Sequence, residues 1–370
     1  MFKQLKKPLK LAFIGGGINS SIGKIHFIAS QLDKNFSVEA GFFSRNKKTN
    51  IKTQKQYNIN FNRIYNNLNI LLINEIKKID LFVILAPTPN HFKILKKLVI
   101  KNVNIIIEKP ILSDFEEVKK LRRYMKGFNK KIYVVHNYTG YPAIREIQEL
   151  VKKKKFGKLL NFKLQMVQES FLRKQRKDQK VKEWRRYDHK IPNLFLDLGI
   201  HLFNLSYFLT DMMPVSVLCD VQKIKKLVSD AKILLEYKNK TKAMFWISKS
   251  SLGSRNDLII ELFFEKCSIK WSHEEFESIS INYPNGMKEK IDRSLQYKLF
   301  NENRYNRYRM GHPAGFIEAF ANMYEDIARD FLNQKNNYVF DYSHAFKGIK
   351  FFDICTKSFK KQKWLKNINI

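Results

Sequence analysis

Cysteine is nearly absent from the 370 residues: Cys219, Cys267 and Cys355 stand far apart, with no Cys-x-x-Cys pair. That spacing excludes a disulfide framework and a cysteine-built zinc site, and reduced structural thiols are expected. No metal ligand set is expected either. Acidic residues are scarce, 34 Asp and Glu against 69 Lys and Arg, so the formal charge is +35. Long apolar runs are missing, and none approaches the roughly 18 residues that a membrane-spanning helix needs. The basic start followed by Leu11-Ala12-Phe13-Ile14 mimics a secretion signal. The run is too short, however, and passes straight into three glycines without a cleavage-like site. A cytoplasmic protein with no membrane partner is expected. A nucleic-acid reader motif is missing as well. The lysines are spread over the whole length among abundant Asn and Ile, as codon bias toward A and T would spread them. A dedicated nucleic-acid or membrane-surface protein is therefore the lesser reading of the charge, and an anionic substrate or a cofactor phosphate would benefit from it.

What is present is enough apolar material for two domains, 44% of residues with 14% aromatic. Residues 10–14 read as a strand, and Gly15-Gly16-Gly17 follows at once. Ser20 or Ser21 is placed to cap a helix carrying Ile22, Ile25, Ile28, Ala29 and Leu32 at helical spacing. Strand, glycine turn and helix amino terminus together cradle a pyrophosphate, because glycines permit close backbone approach and the helix end favours negative charge. Gly15 and Gly17 fit the G-x-G-x-x-G pattern, Ser20 replaces its third glycine and Gly23 comes three residues later. Gly15, Gly17, Ile18 and Asn19 are the expected contacts of this turn with a dinucleotide.

A second strand over 37–43 ends in Ser44 and Arg45, where an NAD site usually supplies an acid. The cofactor is therefore NAD or NADP, with NADP favoured. The alternation continues with a helix over 68–77 and a buried strand over 81–85 that ends at Pro87-Thr88-Pro89-Asn90-His91. Another helix follows, then a strand over 104–108 with three consecutive isoleucines, which stops abruptly at Glu108-Lys109-Pro110. A further strand, 131–135, closes on His136-Asn137-Tyr138. Strands alternating with helices predict a doubly wound parallel sheet, whose ligands lie beyond the carboxyl ends of its strands. Pro87, Thr88, Asn90, His91, Glu108, Lys109 and Asn137 all fall at such ends.

Five segments in this order resemble the Gfo/Idh/MocA oxidoreductases over nearly the whole chain: the glycine turn, Thr88-Pro89-Asn90-His91, Glu108-Lys109-Pro110, the run from His136 to Pro142, and Asp197-Leu198-Gly199-Ile200-His201. The segment from Gly311 to Phe320 is similar too. The resemblance implies an α/β protein in two parts. Residues 1–137 form a Rossmann domain, and residues 138–370 form an α/β domain with a large open, mostly antiparallel sheet, the C-terminal helices being free to return to the first domain. It implies NAD(P)-dependent oxidation or reduction at a secondary alcohol of a sugar, cyclitol or sugar derivative. Lys109 takes the place of the family's catalytic lysine, His201 that of its acid/base, and Asp197 that of a residue positioning the substrate. A homo-oligomer, dimer or tetramer, through the C-terminal sheet is implied as well. The residue types suit the chemistry. A hydroxyl proton must leave as hydride departs, which a histidine can accept, while a lysine stabilises the negative oxygen. A nicotinamide-binding sensor that has lost catalysis is the alternative from another class.

From residue 158 the pattern turns to strands: 158–170, 215–224, 231–237, 241–248, 258–264, 268–272 and 279–283, read as a meander. Residues 196–209 read as a helix with Asp197 and His201 on one face. Residues 171–182 carry six Lys or Arg and read as a solvated loop or, more sharply, a lid over an anionic substrate. Tyr138, Trp184, Arg185 and His312 are further substrate candidates. Helices are expected over 314–331 and 342–360.

Overall fold

Short runs rich in Ile, Leu and Phe form the strands of a parallel sheet in a computed structural model that describes residues 5, 7–174, 187–293, 302–309, 311–334 and 336–370. In chain order these are β1 (Leu9–Gly15), α1 (Ser21–Gln31), β2 (Phe36–Phe42), α2 (Lys47–Tyr57), α3 (Leu68–Glu75), β3 (Leu81–Leu85), α4 (His91–Ile100), β4 (Ile105–Glu108), α5 (Phe115–Tyr124) and β5 (Ile132–Val135). The strand order is β2-β1-β3-β4-β5, all parallel. This is the doubly wound order with its switch point between β1 and β3. Ile105, Ile106 and Ile107 of β4 are completely buried, each stabilising the sheet by about 1.5–3 kcal/mol relative to exposure.

The chain continues through α6 (Pro142–Lys152), β6 (Leu159–Val167), a π-helical turn Phe195–Gly199, α7 (Ile200–Thr210), β7 (Pro214–Ile224), β8 (Leu227–Tyr237), β9 (Lys242–Ser248), β10 (Asp257–Phe264), β11 (Ser268–Ser272), β12 (Ile279–Asn282) and β13 (Lys288–Ile291). It ends with α8 (Phe316–Phe331), α9 (Tyr342–Lys361) and β14 (Leu365–Lys366). Two compact units result. One comprises Met1–Leu112, Glu116–Gly140 and Gly315–Phe346; the other comprises Ser113–Phe115, Tyr141–Ala314 and Lys347–Ile370. Helix α8 belongs to the first, where Phe320, Met323, Tyr324 and Ile327 join the core that contains Leu11, Phe13 and Val83.

The second unit is built on a nine-stranded sheet of order β13-β12-β11-β10-β6-β9-β8-β7-β14. It is mixed rather than a meander: β6 lies between β10 and β9 and runs parallel to β9. One face is buried, with Ile233, Leu235, Phe245, Ile247, Leu258 and Ile260 at alternating positions, whereas Lys232 and Leu234 are exposed on the other. Alternation of this kind is what one-sided burial imposes. No helix among the described residues is long and apolar enough to cross a membrane. The three thiols are buried and unbonded.

Helix α2 has no apolar periodicity. Its buried side is Asn50, Thr53 and Tyr57, a stripe at helical spacing made mostly of polar groups, so hydrophobic pattern does not announce it. The expected helix over 196–209 also differs. Its first turn is π-helical, with the Ile200 N–H bonded to the Phe195 carbonyl, and α-geometry begins at Ile200.

Candidate active site

The residues singled out by sequence fall on both units. In the first, β1 delivers the glycine turn. Gly15 and Gly16 have φ of 87° and 72°. A Cβ on Gly15 would lie 2.6 Å from the Ala86 amide nitrogen, at the switch point between β1 and β3. Ser20 caps α1, its hydroxyl accepting from the Gly23 N–H at 3.2 Å. Gly23 performs the close-approach role of the missing third glycine, because a Cβ there would come within 2.2 Å of the Gly16 carbonyl oxygen. The unforeseen α2 supports the turn from outside. The Ile18 N–H donates to Thr53 Oγ1 at 3.1 Å and the Tyr57 hydroxyl to the Gly16 carbonyl at 3.3 Å. Asn19 is exposed. Gly23→Ala is expected to destabilise the protein by about 1–3 kcal/mol, since backbone faces the new methyl. It should also weaken dinucleotide binding, and a melting curve with an NAD(P)H fluorescence titration checks both.

The loop after β2 is tied by Asn50, whose Oδ1 accepts from the Ser44 N–H at 2.8 Å and whose Nδ2 donates to the Ser44 carbonyl at 2.9 Å. Arg45 beside it is exposed.

Strand register brings the remaining loops to one level: Gly15 pairs with Leu85, Ile84 with Ile107, and Glu108 with Val135. Thr88–Asn90 is a 3-10 turn, with Pro87 exposed and Thr88 buried. His91 is buried, with Nδ1 2.9 Å from the Pro110 carbonyl oxygen and Nε2 2.8 Å from that of Ala86. Burial lowers its pKa below 6.5, and the two carbonyls oppose that shift. His91 thus pins the β3 loop to the turn that carries Lys109, across a cis Lys109–Pro110 bond. Lys109 is half-buried.

Glu108 is held from below. Its Oε1 lies 2.8 Å from His26 Nε2, and His26 Nδ1 lies 2.7 Å from the Tyr324 hydroxyl. Burial, with the Glu108 charge adding, raises the Tyr324 phenol well above its usual range, so it stays protonated. Nothing in the local sequence around His26 or Tyr324 marks this chain, which links α1, β4 and α8.

The carboxyl end of β5 carries His136, then the 3-10 turn Asn137–Gly140 with Asn137 and Tyr138 buried. The Asn137 Nδ2 is a buried donor without an acceptor among the described residues. A buried amide lacking a partner is costly unless a ligand completes it. His136 is buried, and neither ring nitrogen is bonded among the described residues. Burial, then the His344 and Lys109 charges, drives its pKa well below 6.5. The unfolded chain therefore takes up a proton that the folded one refuses, so stability is complete above about pH 6.5 and falls as pH drops below it. His136→Phe is expected to flatten that fall, measured by melting at about pH 8 and about pH 5.

In the second unit, Asp197 lies in the π-turn and His201 in the first turn of α7, four residues on and on a common side. π-Turns of this kind recur at functional sites. Gly199 between them permits contact with the sheet, since a Cβ there would meet Phe352 Cζ at 2.6 Å and Ile247 Cδ1 at 3.1 Å. His201 is buried, and the Asp197 carboxylate accepts from Lys249 Nζ at 2.6 Å. Lys249 went unmarked by sequence reasoning, one lysine among many at the end of β9. His312 is exposed. Trp184 and Arg185, with most of the basic 171–182 segment, lie outside the described residues. Among the described residues no group of three or more His, Cys, Asp or Glu is placed to hold a metal.

A glycine cradle at the switch point and an unpartnered amide at the same sheet edge fit a dinucleotide. Residues 9–136 match the domain described as the oxidoreductase family's NAD-binding Rossmann fold, and residues 148–366 match that family's C-terminal alpha/beta domain. The two domains define a nicotinamide-dependent oxidoreductase. The chain belongs to the Gfo/Idh/MocA family. It is 25% identical over 375 residues to the uncharacterized oxidoreductase YfiI of Bacillus subtilis, covering 96% of this chain and 95% of that one. An inositol dehydrogenase homolog from Azotobacter vinelandii, solved with NADH and myo-inositol, shares the fold at 21% identity and a TM-score of 0.87, over 98% of this chain and 99% of that one. Levoglucosan dehydrogenase, solved with NADH and L-sorbose, is similar at 15% identity and a TM-score of 0.81, over 98% and 100%. The cofactor of the chain is NAD(P).

Proposed function

We propose that this protein interconverts a secondary alcohol and a ketone on a sugar, cyclitol or sugar derivative. The observation that carries the proposal is the sheet edge of the first unit, where the glycine turn, Lys109 and the unpartnered Asn137 amide leave their strands at one level. The inositol and levoglucosan dehydrogenase folds support the substrate class.

Gly15, Gly17, Ile18 and Asn19 would hold the pyrophosphate part of the cofactor, with Ser44 and Arg45 on the adenosine side. Pro87, Thr88, Asn90, His91, Glu108 and Asn137 would border its nicotinamide half. Bound NAD(P) supplies the hydride acceptor. His201 takes the hydroxyl proton of the alcohol as general base, and in the reverse direction returns it. Lys109 stabilises the negative charge that grows on the same oxygen. Asp197 accepts hydrogen bonds from substrate hydroxyls and so fixes which carbon faces the acceptor. Tyr138 and His312, together with Trp184 and Arg185, are further candidates for binding the sugar. With no acid after β2 and an exposed Arg45, NADP is favoured over NAD. The family resemblance adds a homo-oligomer through the large sheet, and the three unbonded thiols suit a cytoplasmic setting.

The test is reduction of NAD+ and of NADP+, followed at the nicotinamide absorbance, with myo-inositol, D-glucose, D-xylose and levoglucosan. Turnover with at least one polyol, and a lower KM for NADP+ than for NAD+, is the expected result. A protein that binds the cofactor and reduces it with none of them contradicts the proposal.

A further inference from the structure

The Asp197 carboxylate does not stand alone in the second unit. Lys249 follows directly on β9, and its backbone is tied on both sides: its N–H donates to the Ser229 carbonyl at 2.8 Å, and its own carbonyl accepts from the Phe171 N–H at 2.9 Å. A lysine fixed in this way at the end of a strand has little freedom at its Cα. Its side chain is 8% exposed and ends with Nζ 2.6 Å from Asp197 Oδ2. The Phe171 ring centroid is 5.7 Å from the same nitrogen.

The π-turn is registered against β9 independently of this ion pair. Gly199, two residues after Asp197, packs closely on Ile247, two residues before Lys249, whose Cδ1 a Cβ on Gly199 would meet at 3.1 Å. Both partners therefore arrive on backbones that packing has already placed. A long cationic side chain is costly to bury unless a specific partner meets it. Here that partner is the carboxylate assigned to substrate positioning.

We infer that Lys249 is the positioning residue for Asp197, holding its carboxylate in one direction so that it receives substrate hydroxyls. The inference rests on the proposed role of Asp197. It makes the acceptor a neutral ion pair rather than a bare anion, so a substrate carrying a carboxylate beside its hydroxyls meets no net repulsion there. Lys249 itself takes no proton from the substrate.

The test compares Lys249→Met, Lys249→Arg, Asp197→Asn and the Lys249→Met/Asp197→Asn double variant with the wild type. The substrate is whichever of myo-inositol, D-glucose, D-xylose or levoglucosan the wild type oxidises. Lys249→Met is expected to lower kcat/KM at least about tenfold, mainly through KM, because a loosened carboxylate no longer orders the sugar. Lys249→Arg should recover most of that loss, and the double variant should be no worse than Asp197→Asn alone. NAD(P)H affinity should be unchanged in all four, since the cofactor contacts lie in the other unit. A Lys249→Met enzyme with wild-type kcat/KM overturns the inference, as does an arginine variant no better than the methionine one, or losses that simply multiply. If Asp197→Asn is itself without effect, or the wild type oxidises none of the four, the proposed function fails and the inference falls with it. A loss in Asp197→Asn without one in Lys249→Met removes only the inference.

Discussion

Lys109→Met is expected to lower kcat on the order of 10³-fold while leaving the NAD(P)H dissociation constant within about threefold of wild type. Methionine keeps the length and apolar stem of the lysine and removes its charge and its N–H donors. Other contacts anchor the turn that carries it. Strand β4 is anchored by three fully buried isoleucines. His91 bonds to the Pro110 carbonyl oxygen at 2.9 Å, and His26 holds Glu108 at 2.8 Å. The glycine cradle lies two strands away in the sheet, so the cofactor should still bind. A cationic group beside a developing alkoxide acts on the transition state more than on the ground state, and its removal belongs in kcat. Wild-type kcat in this variant would assign Lys109 to the surface charge and leave the chemistry without its electrophile.

His201→Asn is expected to lower kcat/KM by about 10²–10⁴-fold, the usual contribution of a positioned acid/base. It should also change the pH profile. An imidazole base is lost when it takes a proton, so wild-type kcat/KM should fall on the acid side, and the asparagine variant should not show that limb. His201 is buried on the first turn of α7, and asparagine, being smaller, does not overpack the site. Retention of the acid limb in this variant would place the titrating base elsewhere.

Much of the first unit is legible in sequence because apolar runs and glycines encode it directly. Leu81–Leu85 and the isoleucines of β4 are buried on both faces, which alternating sequences cannot mimic. Helix α2 escapes because its inward stripe is Asn50, Thr53 and Tyr57, chosen to hold a backbone turn rather than to fill a core. The order of the large sheet escapes for another reason. Sequential strands with similar alternation look like neighbours, and only the tertiary pairing of β6 with β9 and β10 inserts it between them. The mixed sheet also explains why Lys249 was invisible. In a chain with 69 Lys and Arg, a single buried lysine has no sequence signature until its Asp197 partner is in place. The His26–Glu108 contact is of the same kind, joining residues 82 positions apart.

The three-isoleucine strand thus acts as a mount for Lys109, and three contacts brace the residues around it and across the chain: His91 to Pro110, His26 to Glu108, and Lys249 to Asp197. The most direct measurement of the central claim follows the hydrogen itself. The purified protein is mixed with oxidised cofactor and with polyols deuterated at their carbinol carbons, and the reduced cofactor is weighed by mass spectrometry. The account predicts one deuterium on the reduced nicotinamide for each ketone formed, and the labelled cofactor forming on the order of 10³-fold more slowly when Lys109 is methionine. A reduced cofactor that carries no deuterium, or one that is never formed from any polyol, would contradict it.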